Sequence, residues 1–407
     1  MGKYSKHFLL NTETVKAYTK EVLHFFGEEE TLKATEIGDG NINYVFRVWN
    51  PESGKSIIVK QADTVLRSSG RPLDMHRNKI EAEILGIERK LSPEYVPEIY
   101  YYDETMYALS MEDISAYKNL RKELMKGKTF LHFSGNISGF LVDTLLPTTD
   151  LVMDRMKKKE NVKLFTNPEL CDISEDLVFT EPYYDYKGRN IILKENLAYV
   201  KEKLYSDREL HTEVGKLRNN FMNHTQALIH GDLHSGSIFV NEEGMKVIDP
   251  EFAFYGPMGY DIGNVIGNLF FAWANKHYTD QRNTEFLIWI ENTISEIFNK
   301  VKHKLAEKYR EIVNFPLYAA DEFRDAYISK VMADSLGYAG TEIIRRVVGD
   351  SKVMEVTEVR NLEQRIPMEM SLIEAGIRLI KERARLTCGA EVTKLGTDIL
   401  KNQKRAE

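Results

Sequence analysis

The stretch from His230 to Glu251 constrains this chain more than any other. It opens with His230-Gly231-Asp232-Leu233-His234-Ser235-Gly236-Ser237 and runs into the apolar Ile238-Phe239-Val240. The polar Asn241-Glu242-Glu243-Gly244 follows, then Met245-Lys246-Val247-Ile248 and Asp249-Pro250-Glu251. Two short apolar runs around a polar turn that ends in glycine predict a β-hairpin with a four-residue loop. A hairpin returns its outer ends to one another, so Asp232 and Asp249 are expected close in space. Pro250 biases Asp249 toward an extended backbone. Residues two apart in an extended segment share a face, so Asp249 and Glu251 are expected to point the same way.

Three carboxylates gathered at one end of a hairpin repel one another and are costly to desolvate. Apolar strands on both sides argue against a merely solvated acidic turn. A hard cation held by Asp249 and Glu251 resolves the conflict, because magnesium usually takes one or two carboxylates and completes its shell with phosphate and water. Asp232 is then left to orient a substrate hydroxyl and accept its proton. These are the parts of phosphoryl transfer from a nucleotide.

His230-Gly231-Asp232 followed by a hairpin and an acidic metal motif resembles the catalytic and metal-binding segments of the protein-kinase-like small-molecule kinases. That group includes the aminoglycoside phosphotransferases and choline kinases. Two departures are informative. The position five after the catalytic aspartate is usually an asparagine that binds a second metal, and here it is Ser237. The metal motif also ends in Glu251, giving Asp-x-Glu. With the sequel Phe252-Ala253-Phe254-Tyr255-Gly256-Pro257-Met258-Gly259-Tyr260-Asp261-Ile262-Gly263, both departures are similar to the methylthioribose kinases.

The rest of the chain can be read beside that resemblance. Its 407 residues suffice for two or three domain-sized units or one bilobal enzyme. A net charge of -7 argues against a general nucleic-acid binder but allows a nucleotide ligand. The two cysteines, Cys171 and Cys388, are far apart, which suggests a reducing compartment without a disulfide framework. No signal peptide and no apolar run of spanning length is visible, so a cytoplasmic protein without a membrane partner is expected.

Val15, Tyr18, Val22 and Phe26 predict a helix over 12–26, capped by Asn11 or Thr12 and stopped by Gly27. Two strand-like runs between Glu36 and Val48 flank the turn Gly38-Asp39-Gly40-Asn41, whose amides could cradle phosphate. The resemblance implies Gly38, Gly40, Asn41 and Asn43 at the nucleotide. Ser56-Ile57-Ile58-Val59-Lys60 is a strand ending where such kinases carry their phosphate-binding lysine. A helix over about 75–91 follows, with Ile80, Ile84, Ile87 and Leu91 as its apolar stripe. Glu81 and Glu83 are both candidates to hold Lys60, and the resemblance favours Glu81. Runs over 96–102 and 107–111 complete five strands around one internal helix. The chain leaves through Met111, Glu112, Asp113 and Ile114, a connector whose backbone meets the adenine edge in the resembled family. A first lobe of residues 1–113 and a second of 114–407 are expected.

Beyond Tyr117 the pattern is helical, with clusters at 120–124, 140–146 and 151–156, a loop at 180–183, and a long helical stretch over 193–224. Asp261 is expected to cap the next helix and hold the catalytic loop. Further helices are expected over 283–313, 317–348 and 367–386. In the second of these, Gly337, Ala339 and Gly340 permit close helix approach, and Arg345 and Arg346 follow inside an apolar run. Adjacent arginines suit phosphate, although two solvated arginines near a helix C-terminus would also satisfy the dipole. The resemblance to the twin-arginine element of methylthioribose kinases implies the first. The two side chains leave the helix one residue's turn apart, so at most one is expected to aim directly into the cleft.

The expected fold is α+β and bilobal, a small antiparallel-sheet lobe and a larger helical lobe with the active site in the cleft. The residues alone support a magnesium-dependent small-molecule kinase. The resemblance implies ATP-dependent phosphorylation of 5-methylthioribose at its anomeric hydroxyl, in methionine salvage, by a homodimer using ATP and Mg2+. It implies Asp232 as the catalytic residue, Asp249 and Glu251 as metal ligands with Pro250 beside the nucleotide, and Arg345 and Arg346 at the sugar. The rivals are a kinase of the same fold acting on choline, an aminoglycoside or another sugar, and a catalytically inactive nucleotide-binding protein.

Overall fold

A computed structural model describes residues 3–37, 43–63 and 76–402. Gly38, Gly40 and Asn41 of the expected phosphate turn lie outside the described residues, as do the basic segment 67–72 and the last of the basic tail. The chain divides into two compact units, Met1–Tyr117 with Lys246–Glu251, and Lys118–Met245 with Phe252–Glu407.

The first unit contains α1 (Thr12–Glu21), β1 (Lys33–Glu36), β2 (Tyr44–Trp49), β3 (Ser56–Gln61), α2 (His76–Leu91), β4 (Ile99–Asp103) and β5 (Ala108–Met111). The strands form one antiparallel sheet in the order β1-β2-β3-β5-β4. Strand alternation decides what faces what. Ile57 and Val59 join Val15 and Tyr18 of α1 in the buried cluster, which turns Lys60 to the opposite face. Asn11 caps α1 by accepting the amide protons of Glu13 and Thr14. The helix ends at Glu21, five residues before its expected limit. His24 adopts a left-handed backbone that no helix continues, and the chain folds back so that Phe26 enters the same cluster.

The second unit opens with β6 (Lys118–Asn119), α3 (Leu120–Met125), α4 (Phe133–Leu145), α5 (Arg155–Leu164), α6 (Pro168–Phe179), α7 (Glu181–Tyr184), α8 (Leu197–Val200) and α9 (Arg208–Asn223). Short strands β7 (Ala227–Ile229), β8 (Ile238–Val240), β9 (Met245–Val247, of which Lys246 and Val247 are counted with the first unit) and β10 (Phe254–Gly256) follow. Then come α10 (Gly259–Thr279), α11 (Thr284–Ile312), α12 (Asp321–Val348), α13 (Met354–Thr357), α14 (Leu362–Glu382) and α15 (Gly389–Asn402). Beta7 and β10 pair antiparallel, Ile229 against Phe254 and Ala227 against Gly256. This ladder ends directly before His230, so it anchors the start of the His-Gly-Asp loop.

Several expected boundaries move for local reasons. The segment 180–183 is mostly helical rather than a loop, since Pro182 sits in the first turn of α7, where its missing amide proton costs nothing. The stretch 193–224 is interrupted, because Asp207 accepts the amide proton of Leu210 and starts α9 afresh. Helix α5 begins only at Arg155, capped by Asp154, and α14 begins at Leu362, capped by Asn361, with Pro367 inside it. The small-residue run of α12 does bring backbones together. A Cβ on Gly340 would lie 2.4 Å from the carbonyl oxygen of Gly376 on α14.

Candidate active site

Beta3 and α2 set the polar centre of the first unit. Lys60 and Glu81 are both buried, and their Nζ and Oε1 atoms stand 2.7 Å apart. Glu81 is therefore the partner of Lys60, and Glu83 is not. The same ammonium lies 2.5 Å from Oδ1 of Asp249, brought in by the segment Lys246–Glu251. Burial opposes the charge on Lys60, yet Asp249, Glu81 and Glu251 outweigh it and hold the pKa well above that of an ordinary lysine. Burial pushes the Glu81 carboxyl up, against the pull of Lys60. The side chain of Asp249 remains 44% exposed.

The expected extended backbone at Asp249 is not found. Its φ is +65°, in the left-handed region that asparagine and aspartate enter more readily than other side chains. Pro250 disfavours the right-handed helical region for the residue before it, but the carboxylate's bond to Lys60 fixes a different solution from a plain strand. Pro250 itself is buried and Glu251 partly so.

The connector is tied down by its backbone and by the side chain of Asp113. Met111 pairs with Ile58, and the amide proton of Glu112 goes to the carbonyl of Glu98. Asp113 accepts from Arg47 Nε at 2.6 Å. Burial works against the Asp113 carboxylate, but Arg47 and neighbouring donors still bring its pKa below the usual range. Ile114 accepts the amide proton of Tyr117. Asn43 is buried at the start of β2.

In the second unit the His-Gly-Asp loop is suspended from α10. The carboxylate of Asp261 accepts the amide protons of His230 and Gly231 at 2.7 and 3.0 Å. Gly231 has φ +81°, and a Cβ there would lie 2.2 Å from the carbonyl oxygen of Phe252, so only glycine fits. Ser237 Oγ donates to the carbonyl of Asp232 at 3.1 Å. Nδ1 of His234 accepts amide protons from Gly236 and Ser237, both at 3.1 Å. Its proton therefore sits on Nε2, which faces Oδ2 of Asp232 at 3.5 Å. Burial, with Arg121 and Arg346, lowers the His234 pKa to about 4 despite Asp232, so the ring is neutral at pH 7.

Arg345 and Arg346, at the C-terminal turn of α12, are both buried. Their Nη2 atoms lie 3.7 and 3.6 Å from the same oxygen of Asp232. The expectation that at most one guanidinium aims at this point is thus corrected. Glu342 explains the convergence. Placed three and four residues earlier on the helix, it accepts from Nε of both arginines, at 3.0 Å from Arg346. Burial works against the Glu342 carboxylate, but the two guanidiniums hold it far below the usual range. Asp232 is also held low: burial opposes its charge, and His234, Arg346 and Arg345 overcome that opposition. Since His234 is neutral at pH 7, the arginines carry this effect there. Sequence reasoning missed Glu342, though Glu-x-x-Arg-Arg on a helix was the available signal.

Residues 172–291, the window holding this loop and α10, match the model of the phosphotransferase enzyme family. A methylthioribose kinase from a Geobacillus species is 37% identical over 376 residues, covering 92% of each chain. That of Bacillus pumilus is 36% identical, covering 87% of this chain and 88% of its own. The chain belongs to the methylthioribose kinase family. Among solved structures, a choline kinase from Cryptosporidium parvum aligns at a TM-score of 0.48 and 13% identity, covering 97% of this chain and 95% of that one. No helix among the described residues is long and apolar enough to cross a membrane.

Proposed function

We propose that the protein transfers the γ-phosphoryl group of ATP to the anomeric hydroxyl of 5-methylthioribose, giving 5-methylthioribose 1-phosphate, in methionine salvage. The observation that carries this reading is the convergence of Arg345 and Arg346 on one oxygen of Asp232. A carboxylate kept ionised can accept the proton of an attacking hydroxyl. Two guanidiniums beside it can offset the charge that spreads over the equatorial oxygens of the transferring group.

Each residue then has a task. Asp232 orients the anomeric hydroxyl and takes its proton. Arg345 and Arg346 bind the sugar and the transferring phosphoryl group. Lys60, fixed by Glu81, meets the phosphates of ATP, as do Gly38, Gly40, Asn41 and Asn43. The backbone of Met111, Glu112, Asp113 and Ile114 receives adenine, so the first unit serves as the nucleotide lobe and the second carries the acceptor.

Asp249 and Glu251, with Pro250 between them, are the residues that would hold Mg2+. Their chemistry fits: both are oxygen donors, and Asp249 is 44% exposed although one of its oxygens bonds Lys60. The described residues contain no group of three His, Cys, Asp or Glu side chains able to hold a metal. A cation there would take its other ligands from phosphate and water, as magnesium usually does. When bound, it would supply charge neutralisation to the phosphates.

The arginines beside Asp232 disfavour choline or an aminoglycoside, both cationic acceptors. Retention of Lys60, Asp232, Asp249 and Glu251 speaks against an inactive nucleotide-binding protein. Assembly as a homodimer in the cytoplasm belongs to the same reading. ADP release with Mg2+ against a panel of methylthioribose, other sugars, choline and aminoglycosides tests it. Methylthioribose is expected to give the highest kcat/KM. Preferential turnover of a cationic acceptor would overturn the sugar assignment.

A further inference from the structure

Behind Asp232 and the paired arginines lies a buried amide to which phosphoryl transfer gives no direct task. Asn268, 1% exposed on α10, uses both ends of its side chain. Its Oδ1 accepts from the amide and hydroxyl of Ser235 at 3.3 and 3.2 Å and from Nη2 of Arg121 at 3.2 Å. Its Nδ2 donates to the carbonyl of Asn264 at 2.9 Å and to Oε1 of Glu342 at 3.3 Å. The orientation of the amide is forced. The Ser235 amide and the guanidinium can only donate, while a carbonyl and an ionised carboxylate can only accept.

These contacts reach two separate pieces of machinery. Ser235 is three residues after Asp232 on the catalytic loop, and Arg121 reinforces it, donating from Nε to Ser235 Oγ at 3.1 Å and from its backbone amide to the Ser235 carbonyl. Glu342 is the carboxylate that holds Arg345 and Arg346. We infer that Asn268 is a positioning residue that locks the catalytic loop and the arginine pair in register, so that Asp232 and both guanidiniums meet at one point. The inference rests on the roles proposed above for Asp232, Arg345 and Arg346. It adds a residue that touches none of the reacting atoms. Helix α10 thereby fixes the loop twice, through Asp261 at its start and through Asn268 two turns later.

Asn268→Asp separates this role from packing. It keeps the shape and the acceptor for Ser235 and Arg121, but it cannot donate to Glu342 and sets a second carboxylate against it. Asn268→Ala removes both links. Kinetics are measured per folded molecule, with whichever acceptor the wild-type protein phosphorylates. Failure on methylthioribose would then be read separately, from the wild type alone. Both variants are expected to lose on the order of 10–100-fold in kcat/KM for the acceptor, the usual scale for an outer partner of a site, with KM for ATP nearly unchanged. Combined with Arg345→Lys, Asn268→Ala is expected to cost little more than the worse single change, because both break one linked unit. Wild-type kcat/KM in Asn268→Asp, or losses that simply multiply in the double variant, would overturn the inference. So would a fall in stability with unchanged kinetics of the folded fraction.

Discussion

Lys60 and Asp249 stand 2.5 Å apart although 189 residues separate them in sequence. The ammonium is buried with Glu81 on its other side, and the aspartate meets it from a left-handed backbone. Removing the lysine strands a buried carboxylate. Lys60→Met is expected to destabilise the protein by roughly 3–5 kcal/mol, the usual cost of breaking a buried pair. The pH dependence has a definite sign. Glu81, already pushed up by burial, loses the cation that opposed the rise, so the folded variant holds a proton that the unfolded chain releases near pH ~4.3. The variant should be most stable below that pH and lose stability as pH rises through the folded pKa of Glu81. Urea titrations from pH 4 to 8 measure this, and a variant as stable as wild type throughout would refute the pairing.

Asp232→Asn should leave ATP binding nearly intact and lower kcat by ~10²–10⁴-fold. Calorimetry with a non-hydrolysable ATP analogue and steady-state kinetics check the two halves. Near-wild-type turnover would remove Asp232 from the mechanism.

Glu251→Gln keeps an oxygen and removes a charge. The magnesium concentration for half-maximal activity should rise. An unchanged magnesium titration would make Glu251 a structural residue only.

Arg345→Lys and Arg346→Lys retain charge but lose the planar fork that binds Glu342 through Nε while presenting Nη2 to Asp232. Because both guanidiniums converge, each substitution should lower kcat/KM for the acceptor by about tenfold or more with ATP binding preserved. Two variants with wild-type acceptor kinetics would show the pair to be scaffold.

Much of this was legible in the chain. Lys60 follows the apolar run Ile57-Ile58-Val59, and the two-residue period of any strand puts it on the face opposite Val59. The His-Gly-Asp loop and Asp-Pro-Glu motif announce themselves by residue type and order. What could not be read depends on side chains reaching across long separations. Nothing local tells that Asn268 meets both Ser235 and Glu342, or that Arg121 backs the loop. The twin arginines misled in one respect. Helical geometry alone sends neighbours in different directions, and only their shared contact with Glu342 bends both toward Asp232. At Asp249 the rule for residues before proline was outweighed by a tertiary ion pair.

The segment Lys246–Glu251 belongs to the first unit although the second unit surrounds it in sequence. This places a condition on the order of synthesis. When Tyr117 has left the ribosome, the sheet and α2 are available and Lys60 can meet Glu81, but Asp249 has yet to be made. The first unit receives Asp249 after the chain has passed through α9, roughly ten seconds later at ~5–20 residues per second. The nascent N-terminal unit must wait for a piece of its own polar centre, and no cut near residue 117 can yield it whole.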